Sequence, residues 1–305
     1  MSDRENDSAQ PSANAPLLSP EFTAKLETLA LVSRKLAAGR LHGERRTRKR
    51  GESLEFADHR AYAQGDDLRR LDWNLYGRLE KLFLKLFLAE EDLSFYLLLD
   101  GSRSMAFGTP SKFDYARRAA AALAYVGLVN MDRVTVAVHA GGEEHVLTEL
   151  RGRTQAWRLF RFLEDLRPDG QMDLREALRR FLLRRRRPGI LVILSDFLSP
   201  DGFEEPLKSC LAHRMETCAL HLLAREELEP QIVGDVKLVD VETGDAVDVT
   251  ASARLFEAYE KSLRGWCASL RDFCAKRGMI YALSATDAPV EGLVLDWLRR
   301  AQLVK

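Results

Sequence analysis

The chain has 305 residues, 46% of them hydrophobic, enough for one large or two modest globular domains. Basic and acidic residues balance at 46 each, so no global charge drives it toward nucleic acid or an anionic membrane. No apolar run approaches the ~20 residues that span a bilayer, and the four cysteines have neither C-x-x-C nor Cys/His zinc spacing.

Met1 to Pro20 is polar, rich in Ser, Asn, Asp and Pro, and lacks the apolar core of a signal peptide. It reads as a disordered tail, domain segment 1–20. Glu21 to Ala38 has helical spacing in Phe22, Leu26, Leu29 and Ala30, with Gly39 as the stop. Arg40, Arg45, Arg46, Arg48, Lys49 and Arg50 then face only Glu44. A solvated linker accounts for this block. It has no interleaved aromatics on which bases could stack, so no nucleic acid partner is expected. Gly51 to Arg78 reads as polar and irregular. The apolar runs Leu82–Leu88 and Leu93–Leu99, separated by Glu90-Glu91-Asp92, predict an antiparallel hairpin, although the first run also fits a helix. Residues 21–92 are therefore taken as an accessory segment and 93–305 as the main domain.

From there strands and helices alternate. Ser111 to Asn130 is Ala-rich and helical, with a small-residue stripe of Ala116, Ala119, Ala120, Leu123 and Gly127 that permits close packing on a sheet. Val134–Ala140 and Val146–Leu150 are strands about Gly141-Gly142. Trp157–Leu166 and Leu174–Arg187 are helices. The second ends in Arg184-Arg185-Arg186-Arg187, where positive charge complements the helix dipole. Ile190–Leu194 and Cys218–Leu223 are strands, and Val236–Val249 is a hairpin about Thr243-Gly244-Asp245. Leu255, Phe256, Tyr259, Leu263, Trp266, Leu270 and Phe273 form a helical stripe capped near Gly278. Ile280–Leu283 and Val290–Leu303 complete the chain. This alternation predicts an α/β fold, a mostly parallel sheet covered by helices on both faces. Cys267 and Cys274 lie roughly 10 Å apart along one helix, too far for a disulfide. Reduced, buried thiols and a cytoplasmic location follow.

Two apolar strands end in a carboxylate: Leu99-Asp100 and Ser195-Asp196. Ligands of open α/β sheets bind at the carboxyl ends of strands, where strand order reverses. Asp100, Ser102, Ser104 and Asp196 would then share one crevice, and their hard oxygens suit Mg2+ or Mn2+. The plainer account makes the serines and Asp196 helix and loop caps.

Asp100-Gly101-Ser102-Arg103-Ser104 resembles the D-x-S-x-S signature of von Willebrand factor A domains. The resemblance implies a metal-ion-dependent adhesion site. In it Asp100, Ser102, Ser104 and a second Asp, matched by Asp196, serve the metal together with a Thr. Met172 stands where that Thr is expected, in Gly170-Gln171-Met172-Asp173-Leu174. A thioether is a poor magnesium ligand, so Asp173 becomes a further candidate. Upstream, Arg60-Ala61-Tyr62-Ala63-Gln64-Gly65-Asp66-Asp67-Leu68-Arg69-Arg70-Leu71-Asp72-Trp73, followed by Arg78, resembles the hallmark of the domain of unknown function 58 family. That resemblance implies a three-layer von Willebrand A-like, Rossmann-type domain. It also implies an adaptor or co-chaperone role beside a bacterial MoxR-type AAA+ ATPase, with no catalytic residues. Arg60, Tyr62, Asp66, Arg69, Asp72, Trp73 and Arg78 read first as an ion-pair network and second as a partner-binding surface. In the leading function a partner's acidic residue bridges the metal. The alternative is a haloacid-dehalogenase-like phosphohydrolase, whose nucleophilic Asp also ends a strand. That chemistry wants an acid/base Asp two residues later, where Ser102 stands.

Overall fold

The computed structural model describes residues 16–28, 56–63, 66, 68, 71–87, 94–185, 187–199, 201–231, 234–242 and 244–300. The basic block Arg40–Arg50 lies outside them. The chain divides into two compact units, Met1–Ala37 with Leu93–Lys305, and Ala38–Asp92. Helix α1, over residues 20–28, starts where the Ser19 hydroxyl accepts the Phe22 N–H at 3.1 Å. Leu17, Leu18, Phe22 and Leu26 are buried in the larger unit's core. The tail expected to reach Pro20 therefore gives way at Leu17, because these leucines lose their apolar surface to the core.

In the smaller unit β1 (Phe56–Ala61) pairs antiparallel with β2 (Phe83–Phe87), and α2 (Trp73–Leu79) lies between them in sequence. Asp72 caps α2, its Oδ1 accepting the Asn74 and Leu75 amides at 3.0 and 3.1 Å. Two expectations are corrected. Gly51–Arg78 is not irregular throughout, since it holds β1 and most of α2. Leu82–Leu88 does not pair with Leu93–Leu99, because the first run meets β1 and the second enters a different sheet.

The larger unit runs β3 (Ser94–Asp100), α3 (Lys112–Val129), β4 (Arg133–Ala140), β5 (Glu143–Leu150), α4 (Ala156–Asp165), α5 (Leu174–Arg184), β6 (Gly189–Ser195), α6 (Glu204–Ala212), β7 (Met215–Leu223), α7 (Arg225–Leu228), β8 (Gly234–Val239), β9 (Ala246–Ala251), α8 (Ala253–Ala275), β10 (Ile280–Ala285) and α9 (Val290–Arg300). Six strands form one sheet in the order β10-β7-β6-β3-β4-β5, parallel except for β5, while β8 and β9 pair as a separate ribbon. The Arg184–Arg187 block does not all extend the helix: α5 stops at Arg184, with Arg185 as its C-cap.

Alternation sorts the core into two layers. Phe95, Leu97 and Leu99 join Val192, Leu194 and the buried faces of α1, α3, α4 and α9. Tyr96 and Leu98 join Leu191, Ile193 and the faces of α5, α6 and α8. Every side chain of β3 is buried, as a central parallel strand requires, and each buried Leu contributes roughly 2 kcal/mol. The small-residue stripe lets α3 lie close on the sheet: a Cβ on Gly127 would stand 2.9 Å from a Val134 methyl. The stripe on α8 is buried at Leu270 and Phe273, beside the buried Cys274, whereas Leu255 and Tyr259 stay exposed.

The sequence moves from β3 outward to β4 on one side and to β6 and β7 on the other. The reversal falls between β3 and β6, which sets a crevice beyond the ends of these two strands.

Candidate metal centre

At that crevice β3 delivers Asp100 and β6 delivers Ser195 and Asp196, with Leu99 beside Leu194 in register. Main-chain bonds hold the Asp100 loop against two others. Gly101 N–H donates to His139 O at 2.8 Å, Asp169 N–H to Gly101 O at 2.8 Å, Arg103 N–H to Gly170 O at 2.9 Å and Gly141 N–H to Asp169 O at 2.6 Å. The approach needs glycine, since a Cβ on Gly101 would stand 2.7 Å from His139 O.

Asp100 is 5% exposed, and both its oxygens are engaged. Oδ1 accepts the Ser102 amide at 2.9 Å and the Ser102 hydroxyl at 2.7 Å, while Oδ2 accepts the Ser195 hydroxyl at 2.7 Å across the strands. The Ser102 and Ser104 hydroxyls are 2.9 Å apart. Burial, and then the Asp196 charge, push the Asp100 carboxyl up to about 6 against these hydrogen bonds. Two carboxylates thus share one buried site.

Asp100, Ser102, Ser104 and Asp196 line one cleft with Met172, Leu174, Ser195, Phe197, Leu198, Ser199 and Glu242. Its free volume is about 20 Å³, room for a single water or small cation. The donors facing it are hard oxygens, the chemistry Mg2+ and Mn2+ prefer, so the residues fit such an ion. Met172 does enter the cleft, half-buried and packed on the α5 side of the core. Asp173 does not line it. Its exposed carboxylate caps α5 by accepting the Arg175 and Glu176 amides at 2.8 and 3.2 Å. Among the described residues no three His, Cys, Asp or Glu side chains are grouped to hold a metal, so such an ion would rely on the serine hydroxyls.

Two residues that sequence reasoning missed complete the site. Lys112, 1% exposed at the start of α3, donates to Asp196 Oδ2 at 2.7 Å and to Glu227 Oε1 at 2.6 Å. Burial alone would lower its pKa, but Asp196 and Glu227 outweigh burial and raise it. A cation in the first turn of a helix opposes the dipole, and that misfit is the signal in the sequence that a carboxylate faces it. The other oxygen of Asp196 accepts the Leu198 amide at 3.1 Å. Next to it Phe197 holds a left-handed φ of 53°, pinned by full burial and an edge contact with the His221 ring. His221, buried beneath the site, is pushed down to about 4 by desolvation and is therefore neutral.

In the smaller unit, the Arg60 Nη2 meets both Asp66 oxygens at 2.7 Å, and Asp66 also accepts the Ala63 amide at 2.9 Å. Asp72, besides capping α2, lies 2.8 Å from His59 Nε2. Trp73 is 64% and Tyr76 43% exposed, with Arg78 also exposed and Tyr62 half-buried. Arg69, with Gln64, Gly65, Asp67 and Arg70, lies outside the described residues. The acidic residues of the hallmark that are described therefore hold structure, while its aromatics on α2 face solvent.

A mostly parallel sheet whose D-x-S-x-S loop sits at the switch point, covered by helices on both faces, defines a von Willebrand A-like α/β domain. The chain belongs to the family described as protein of unknown function DUF58, whose model matches residues 58–265. An uncharacterized protein of Mycobacterium tuberculosis is 32% identical over 230 residues, covering 74% of this chain and 72% of its own length. An uncharacterized protein of Mycobacterium bovis matches to the same extent, 32% over 230 residues, with 74% and 72% coverage. Among solved structures, the conserved hypothetical protein BatB of Bacteroides thetaiotaomicron aligns with a TM-score of 0.44 and 17% identity, over 69% of this chain and 99% of that one. Among the described residues no helix is long and apolar enough to cross a membrane.

Proposed function

We propose that this protein is a non-enzymatic protein–protein interaction module that binds partners through a divalent cation at the β3–β6 crevice. Asp100, Ser102 and Ser104 would hold Mg2+ or Mn2+, with Asp196 supporting it, and the ion would supply an open position for a partner's carboxylate. One observation carries this reading. Two buried carboxylates and two hydroxyls converge on a cleft sized for one small cation, and burial, with the charge of Asp196 second, pushes the Asp100 carboxyl up to about 6. Such a centre needs no nucleophile. Both oxygens of Asp100 are hydrogen-bonded, and Lys112 is locked between Asp196 and Glu227, so the phosphohydrolase alternative gains no free group from either.

The partner we favour, as the family resemblance implies, is a MoxR-type AAA+ ATPase, and we place the meeting in the cytoplasm. The exposed Trp73 and Tyr76 supply a second contact of the kind that dominates protein interfaces. Affinity purification from native cells, with Mg2+ and again with chelator, tests the reading. Recovery of an AAA+ ATPase with Mg2+ alone supports it. Recovery in both conditions keeps the adaptor and discards the metal bridge, and no recovery discards the adaptor.

A further inference from the structure

A buried lysine beside a candidate cation centre calls for a physical account, because its charge repels the ion. Lys112 donates to Asp196 Oδ2 at 2.7 Å and to Glu227 Oε1 at 2.6 Å, and it is 1% exposed. Among the described residues Asp196 lines the cleft and Lys112 does not, so the ammonium reaches that carboxylate from the core side. Burial opposes the lysine's charge, but Asp196 and Glu227 outweigh burial and keep it protonated. Asp196 therefore meets the cleft with its charge largely balanced, and its other oxygen accepts the Leu198 amide at 3.1 Å.

Glu227, on α7, is anchored independently of Lys112. Its Oε2 accepts the Ala224 amide at 2.7 Å, and its carbonyl accepts the Tyr259 hydroxyl at 2.8 Å. Ala224 is fully buried against the loop that precedes α3, where a Cβ on Gly108 would stand 2.6 Å from the Ala224 Cβ. A buried ammonium with one partner cannot leave it without stranding its charge. Lys112 has two partners, so it can give up Asp196 and remain paired. The nearby His221 ring is neutral and supplies no charge to take the lysine's place.

We propose that Lys112 is the site's resident counter-ion, a positioning residue that holds Asp196 in reserve and sets how tightly the crevice takes a divalent cation. The inference rests on the metal reading above. Glu227 is the carboxylate that keeps Lys112 when the ion draws on Asp196. Cation binding is then an exchange of one positive charge for another, weaker than binding to two unpaired carboxylates.

Mn2+ titration of the full chain, read by the loss of the free-ion paramagnetic resonance signal, tests this together with thermal melts in Mn2+ and in chelator. Lys112→Met releases Asp196 and should tighten Mn2+ binding about tenfold, within the range for groups that support a metal ligand. Its melting temperature should fall in chelator and gain more from Mn2+ than the wild type does, since the ion replaces the missing charge. Glu227→Gln leaves Lys112 with Asp196 alone and should weaken Mn2+ binding about tenfold. A lysine that only holds the fold together predicts no such opposite shifts. If the wild type binds Mn2+ and the two variants do not shift its affinity in these opposite directions, the metal reading stands and this inference fails. If Lys112→Met does not fold in either buffer, Glu227→Gln decides, and unchanged or tighter binding overturns the inference. If the wild type binds no Mn2+ but Lys112→Met does, the inference stands and the metal reading fails for the native chain. If neither binds, both fail.

Discussion

Asp100 carries opposite consequences with and without a cation. Its ordinary value is 3.8 and its folded value about 6, so between those limits the native state holds more protons than the unfolded one. The native protein therefore loses stability as pH rises through that window, and the loss is complete above it. Asp100→Asn should flatten this dependence and, at pH 7 in chelator, stabilise the fold by on the order of 2–3 kcal/mol. Thermal melts with and without Mg2+ check it: the wild type should gain with Mg2+ and the variant should not. A variant that melts lower than wild type in chelator would refute the charge argument. Met172→Thr offers a hard oxygen where a thioether stands and should tighten Mg2+ binding roughly tenfold, about 1.4 kcal/mol, by calorimetric titration. Lys112→Met is the severe change. It leaves Asp196 and Glu227 without their cation in the interior and should cost about 3–5 kcal/mol in denaturant melts.

At the scale of elements, α3 is the case in which sequence and structure agree most fully. Ser111, the alanine run and Asn130 mark its ends, and the helix occupies Lys112–Val129 between those caps. Local chemistry alone decides it. The pairing of β2 was not legible, because Leu82–Leu88 and Leu93–Leu99 are adjacent in sequence and similar in composition. Only the tertiary context sends one to β1 and the other between β4 and β6. The candidate site divides the same way. Asp100, Ser102, Ser104 and Asp196 were readable because each ends or follows an apolar strand. Glu227 and Glu242 were not, since surface carboxylates abound and only folding places these two at the crevice. Gly101→Ala tests the contact between the β3 and β4 ends. Its Cβ would meet the His139 carbonyl, forcing backbone apart at a cost of about 1–3 kcal/mol and loosening the site, as melts and metal titration would report.

At the scale of the whole molecule, the proposed function assigns one contact to each of the two units. Replacing Trp73 and Tyr76 together by Ala should weaken capture of an AAA+ ATPase while leaving the melting free energy within about 0.5 kcal/mol, because both side chains are exposed. An unchanged pull-down would assign these aromatics no role in binding. The larger unit has another property of collective kind. The loops at residues 100–103, 139–142 and 168–172 are stitched by main-chain bonds among Gly101, Arg103, His139, Gly141, Asp169 and Gly170, and the Arg103 guanidinium adds a bond to the Asp169 carboxylate. A cradle written in backbone survives changes to the groups it displays. A substitution at Met172, or a change in what the cleft holds, should leave the cradle standing. Through isotope labelling, these irregular segments should therefore show the slow solvent exchange of a strand, a fossil-like persistence of shape that outlasts any single ligand.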